Sequence, residues 1–307
     1  MESWISTQLT RLYGINHSCL EAVTGEMYRC TTGTGCYYVR VTDYKSYEEQ
    51  AAEVHFLRNL RQCGVGVASV VQSIQGHYLE QVHVEELKTM VVFEGAPGIH
   101  IPRVDWTADK LYKVGKEIGK LHRASQCYAD EYPDSPIQHW HVNKEYQFLE
   151  SIPKDETHIR TLAKDVLEQI QMIPKHDCNY GIIHGDIWLE NILMTDNDQV
   201  TLIDFQDLER HFYAYDLVVP VYSALEFSFI GKGNLLDYAK SIKSALLRGY
   251  EEEHELPQEM LAQWPLFYRL KELFEYSQLH KYWNPHRLTE EQVRIMNLYR
   301  HRLENGC

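Results

Sequence analysis

The feature that most restricts the fold of this 307-residue chain is a change of period about a third of the way along it. Before that point, short runs rich in β-branched and aromatic residues read as strands: CYYVRVT at 36–42, GVASVVQ at 66–72 and LKTMVVF at 87–93. Residues 46–63 between the first two read as a helix, with Glu53, Leu57 and Leu60 on one face and the glycines of CGVGV ending it. From about Ala108 onwards, Leu111, Val114, Ile118 and Leu121 recur at helical spacing. Amphipathic stretches then follow at 214–229, 235–250 and 260–279. The joint is FEGAPGIHIP at 93–102, whose glycines and prolines suit a bend between a small sheet-bearing part, 1–94, and a large, mainly helical part, 95–307. Clefts between such parts are common ligand sites.

Composition narrows what that cleft can serve. A formal net charge of -14, from 44 acidic against 30 basic side chains, opposes binding to nucleic-acid phosphates or anionic lipid and favours cationic small molecules. The seven cysteines are scattered, without a CxxC pair, as expected of reduced thiols in a cytoplasmic protein. No apolar run reaches the roughly 20 residues a membrane span needs, and the opening MESWISTQLTRLYG has no secretory pattern. No membrane partner is expected, and oligomeric state is left open.

The stretch IIHGDIWLENILM, 182–194, sets His184, Asp186 and Asn191 into an otherwise apolar run. Each alone is an ordinary turn former or hydrogen-bonded structural residue. Their order says more: HGD ends one apolar segment, Asn191 opens the next, and VTLIDF delivers Asp204 at the end of a third. NILM and VTLIDF, joined by TDNDQ, read as a hairpin carrying Asn191 and Asp204 side by side. Phosphoryl transfer from a nucleotide requires hard oxygen ligands for Mg²⁺ and a carboxylate able to take the acceptor hydroxyl's proton. An Asn and an Asp on adjacent strands can meet the first need, and Asp186 the second.

HGDxxxxN followed by IDFxD resembles the aminoglycoside phosphotransferase and choline kinase-like superfamily, small-molecule relatives of protein kinases. The resemblance extends over nearly the whole chain: YYVRV looks like the lysine-bearing strand, EVHFLRNL like helix C, VVFEGAPG like the hinge and VGKEIGKLHRAS like the first large-lobe helix. It implies an α+β, bilobal, protein-kinase-like fold, with a small antiparallel-sheet N-lobe holding one main helix and a larger, mostly helical C-lobe. It further implies an ATP-dependent kinase that moves the γ-phosphoryl group to a hydroxyl of a small, amino-containing, cationic metabolite or aminoglycoside-like compound, with ATP and Mg²⁺ as cofactors. Carried over by position, Asp186 becomes the catalytic base, Asn191 and Asp204 the metal ligands, His184 a brace for the loop and Asp216 its buried anchor. Backbone groups of Glu94 and Ala96 would meet the adenine edge.

Two departures stand out. Where the family has a lysine on the third strand, this chain has Arg40, which with Glu53 keeps an opposite-charge pair of different reach; an exposed strand arginine is the plain alternative. The nucleotide-covering loop, near LEAVTGEMYRC at 20–30, has only Gly25, and TTGTG at 31–35 reads as a hairpin turn. For the acceptor, Asp207, Glu209 and His211 follow the metal motif, and Glu272, Glu275 and Tyr276 offer acidic and aromatic groups on a later helix. The periodicity of that helix favours aromatic residues facing the core and charges facing water. Competing functions are a protein Ser/Thr kinase, against which IDFQD running almost directly into YDL argues, and a nucleotide-binding pseudokinase or scaffold, which Arg40 suggests and the complete Asp186, Asn191, Asp204 set opposes.

Overall fold

The structure is a computed structural model and describes residues 1–228 and 234–305. The N-terminal part comprises α1 (Glu2–Gln8), β1 (Cys19–Ala22), β2 (Met27–Thr31), β3 (Cys36–Thr42), α2 (Tyr47–Gln62), β4 (Glu80–His83) and β5 (Leu87–Glu94). The strands form one antiparallel sheet in the order β1-β2-β3-β5-β4. Strand alternation explains how its two faces differ. Val39 and Val41 of β3 and Met90 and Val92 of β5 pack beneath Ile5, Leu9 and Leu12, whereas Val91 and Phe93 face the core that includes Phe56, Leu57 and Leu60 of α2. Arg40, between the two valines, therefore points toward α2. Ser46 caps α2 through a reciprocal capping box with Glu49, which satisfies two of the helix's first backbone donors.

The rest comprises β6 (Ile99–His100), α3 (Ala108–Glu131), α4 (Phe148–Ser151), α5 (Thr157–Met172), β7 (Tyr180–Ile183), β8 (Ile192–Met194), β9 (Val200–Leu202), β10 (Glu209–Phe212), α6 (Tyr213–Phe227), α7 (Leu235–Glu251), α8 (Gln258–Ala262), α9 (Trp264–Tyr282) and α10 (Glu290–Asn305). The antiparallel β8–β9 hairpin appears as expected, with β6 on its other edge, and β7 pairs with β10. Helices α3 and α7 cross at glycines: a Cβ on Gly115 would lie 1.9 Å from the Leu246 carbonyl oxygen, and one on Gly249 equally close to that of Tyr112. That contact seats α3 against α7 and, through Ser125 Oγ donating to the Ile182 carbonyl at 2.7 Å, fixes β7 and the loop that follows it.

Three expectations need correction or qualification. Residues 66–72 are extended but form no strand, because their hydrogen bonds are divided between two sheets: Leu202 N–H donates to Gly66 O, Glu94 N–H to Ser69 O and Val71 N–H to Val92 O. The helix expected over 260–279 is broken at Gln263 into α8 and α9, with Pro265 in the first turn of α9, where its missing N–H costs nothing. The helix expected over 214–229 runs to Phe227, and residue 229 lies outside the described residues, as does Cys307. The six described cysteines are free thiols, and among the described residues no helix is long and apolar enough to cross a membrane.

Candidate active site

The apolar part of the opening motif is core: Ile182, Ile183 and Ile192 are fully buried. The turn leaving β7 then places the polar residues. Gly185 has φ +86°, and a Cβ there would lie 2.4 Å from the Asp207 carbonyl oxygen, so only glycine lets the two segments pass. Fully buried Asp216 accepts from His184 N–H at 2.8 Å and Gly185 N–H at 2.9 Å, the anchoring expected of it. His184 braces the loop as well: its Nε2 donates to the Ile203 carbonyl at 3.0 Å, which makes Nδ1 the acceptor for Asp186 N–H at 3.3 Å. Behind Asp216, His122 Nε2 lies at 3.1 Å and His122 Nδ1 meets the Tyr250 hydroxyl at 2.9 Å. Burial pushes the His122 imidazole down more than Asp216 raises it, so this buried contact joins a neutral ring to a carboxylate.

A short 3₁₀ turn, Leu189–Asn191, brings Asn191 back to the loop. Its Nδ2 donates to the Asp186 carbonyl at 2.9 Å and to Asp186 Oδ2 at 3.3 Å, leaving its amide oxygen as an available acceptor. Asp204 follows β9 in the left-handed region, φ +66°, a conformation Asp tolerates better than most residues. Its carboxyl opens on the cleft, yet desolvation pushes its pKa up, with His184 and Arg40 opposing and Asp186 and Glu53 adding to the rise. Asp207 is raised for the same reason, burial first and then Asp186. The mutual repulsion of Asp186, Asp204 and Asp207, beside a free amide oxygen, suits a hard divalent cation. Among the described residues no group of three or more His, Cys, Asp or Glu is placed to hold a metal ion by itself.

On the opposite wall, Arg40 is buried and its guanidinium grips Glu53 with two parallel bonds, Nη1–Oε1 at 2.9 Å and Nη2–Oε2 at 2.7 Å. The exposed-arginine alternative is thereby excluded. Arg40 Nε is buried without a partner, and the guanidinium lies 5.5 Å from the centre of the Phe93 ring. At the joint, Glu94 is exposed and Ala96 half-buried; Glu94 N–H is engaged with Ser69 O, and Gly95 N–H donates to Cys36 O at 2.8 Å. The loop 23–26 links β1 to β2, and 32–35 closes the β2–β3 hairpin through Thr32 N–H to Gly35 O.

The acceptor-side candidates separate cleanly. Glu209 is buried and its carboxylate is taken up by Asn143 at 2.9 Å and Tyr146 at 2.7 Å, with burial pushing its pKa up to about 7. His211 is fully buried between the rings of Trp140 and Tyr215. Tyr276 is tied to Glu156 at 2.7 Å, and Glu272 to Arg269 at 2.7 Å. The reading of α9 as charges facing water is overturned, since Lys271 and Glu272 are buried. Lys271 is also the residue that sequence reasoning missed: its Nζ lies 3.2 Å from Asp186 Oδ1 and 2.8 Å from Glu275 Oε1. A signal existed, because Lys271 shares the apolar stripe of Phe267, Leu270 and Phe274.

A sheet-bearing lobe with a buried Arg–Glu pair, facing a helical lobe that presents an Asp, an Asn and a second Asp after a hairpin, defines a protein-kinase-like phosphotransferase. The chain belongs to the phosphotransferase enzyme family, whose model matches residues 21–256. It is an ATP-dependent kinase with a small-molecule hydroxyl as acceptor. Amicoumacin kinase of Bacillus subtilis (strain 168) is 25% identical over 284 residues, 91% of this chain and 84% of that protein. The solved amicoumacin kinase hAmiN, in complex with AMP-PNP, Ca²⁺ and Ami, superposes with a TM-score of 0.91 at 22% identity, covering 99% of this chain and 93% of that one. A microcompartment-associated aminopropanol kinase superposes with a TM-score of 0.77 at 24% identity, covering 98% and 95%.

Proposed function

We propose that the chain transfers the γ-phosphoryl group of ATP to a hydroxyl of a small amino-containing compound in the cytoplasm, with residues 1–94 binding the nucleotide and 95–307 supplying the catalytic loop and acceptor site. The observation that carries this reading is the Asp186 carboxylate, oriented by Asn191 and backed by Lys271, on the same wall as Asp204. Asp186 accepts the acceptor's hydroxyl proton as the new O–P bond forms; the bond from the γ-phosphorus to the β-bridging oxygen breaks, and its electron pair leaves with ADP. Asn191 and Asp204 would hold Mg²⁺, which when bound offsets phosphate charge. Arg40, kept in place by Glu53, faces Asp204 across the cleft and supplies positive charge for the nucleotide phosphates; an adenine edge would lie at the joint, against exposed Glu94 and half-buried Ala96.

An amino group in the acceptor fits the acidic balance of the chain and the carboxylates of Asp207 and Glu275 near Asp186. Two of the proteins it resembles, by their names, act on amicoumacin and aminopropanol. A small acceptor is further supported by the passage from β9 through a single 3₁₀ turn and β10 into α6, which leaves no activation segment of the kind a protein kinase uses. Incubation of the protein and Mg·ATP with separate amino alcohols, hydroxy amino acids, aminoglycosides and a generic protein substrate tests the reading. Transfer to one or more amino-containing small molecules is expected; transfer to the protein alone, or to none, would refute it.

A further inference from the structure

We propose that Lys271 is a positioning residue for phosphoryl transfer: its buried ammonium, shared between Asp186 and Glu275, fixes the Asp186 carboxylate for the incoming hydroxyl. This rests on the role given above to Asp186. The geometry is specific. Asp186 Oδ2 is held by the Asn191 amide at 3.3 Å and Oδ1 by Lys271 at 3.2 Å, so one contact on each oxygen fixes the carboxylate plane, from residues five and 85 positions further along the chain. Glu275, one helical turn along α9, takes a second ammonium hydrogen at 2.8 Å, and the rings of Trp188 and Phe274 lie 4.9 and 5.0 Å from Nζ. Trp188 itself belongs to the catalytic loop, so α9 holds that loop both by charge and by an aromatic contact.

The burial makes a purely structural role a poor explanation. Lys271 is completely inaccessible, whereas its two carboxylate partners keep 27% and 20% of their side-chain surface. Taking an ammonium fully out of water is costly, and an apolar residue of similar volume serves packing at least as well. The pair of carboxylates outweighs that cost: burial alone would push Lys271 down, but Glu275 first and then Asp186 hold it above its ordinary range, so it is charged. The ammonium thus lies behind the exposed face of Asp186, where it cannot displace the acceptor but can hold the carboxylate still and offset the crowding of Asp186 by Asp204 and Asp207. Its side chain is fully buried on the same stripe of α9 as the core residues Phe267 and Leu270, with Nζ against the Phe274 ring, so the charge is pre-organised rather than recruited.

The test uses the full-length protein, Lys271→Met and Lys271→Ala, assayed with Mg·ATP and the amino-containing acceptor that the wild type turns over best. Lys271→Met should fold, keep ATP affinity within about twofold and lose about 10- to 100-fold in kcat, the scale of a misplaced reacting group. Lys271→Ala should lose a similar factor and regain part of it, saturably, when ethylammonium is supplied to the vacated space; a structural role would not give that rescue. A folded Lys271→Met protein with kcat within twofold of wild type overturns the proposal, and so does a Lys271→Ala protein that ethylammonium fails to stimulate. If the wild type transfers phosphate and these variants behave as wild type, only the role of Lys271 falls; if the wild type transfers to no acceptor, the role of Asp186 falls with it.

Discussion

Arg40 and Lys271 are buried cations on opposite walls of one cleft, and they are held in different ways. Arg40 meets Glu53 fork to fork, at 2.9 and 2.7 Å, within the N-terminal part of the chain. Lys271 is a point charge split between Glu275 on its own helix and Asp186 on the catalytic loop. A planar guanidinium matches one carboxylate completely, so the Arg40–Glu53 pair is self-contained and ties β3 to α2. An ammonium has three separate donors and can serve two acids at once, which lets Lys271 connect a scaffold helix to Asp186, the proposed base. The first arrangement secures a wall; the second secures the proposed base.

Asp204→Ala removes the carboxylate that Arg40 faces across the cleft, and turnover should fall by about 100-fold or more, because metal-borne charge stabilisation is worth several kcal/mol. Nucleotide affinity with and without Mg²⁺, measured by calorimetry, should lose its metal dependence in that variant. Next comes Glu53→Ala, which leaves Arg40 buried and unpaired and should cost about 3–5 kcal/mol of stability in urea unfolding. The double variant Arg40→Met with Glu53→Met should recover most of that loss if the pair is self-contained as described.

A smaller effect separates both cations from a buried base that burial keeps neutral. His254, hydrogen-bonded through Nδ1 to Tyr250 at 2.9 Å, has its pKa lowered by burial to about 4. The unfolded chain takes up that proton near the ordinary value of 6.5 and the folded chain does not, so the stability from this site is complete above pH 6.5 and is lost as pH falls toward 4. His122, also lowered, adds in the same direction. The melting temperature should drop over that window, and His254→Gln should flatten the drop by a few degrees.

What was legible in the sequence was local. The hairpin carrying Asn191 and Asp204 follows from two short β-rich segments and a turn, and the catalytic loop from polar residues interrupting an apolar run. Helix α2 was legible from Glu53, Leu57 and Leu60 on one face and the glycines that end it, whereas its Ser46–Glu49 capping box came from the structure. Residues 66–72 have a strand's composition, but only the tertiary structure reveals that their hydrogen bonds go to two sheets. The role of α9 was illegible in a different way. Periodicity was read as turning the charges of α9 to water, although Lys271 falls at helical spacing with Phe267 and Phe274, because the partner that makes a charge tolerable there is 85 residues distant in sequence. The same distance hid His122 behind Asp216, 94 residues away.

The most direct test of the central claim is a single-turnover comparison of wild type and Asp186→Asn, each loaded with Mg·ATP and mixed with an amino-containing acceptor that the wild type phosphorylates. Asn has nearly the shape of Asp and leaves the nucleotide side untouched, so ATP affinity should be unchanged while the phosphoryl-transfer rate falls about 10²- to 10⁴-fold, the contribution of a positioned general base. An Asp186→Asn protein that forms the phosphate ester at the wild-type rate would contradict the claim that this carboxylate takes the acceptor's proton.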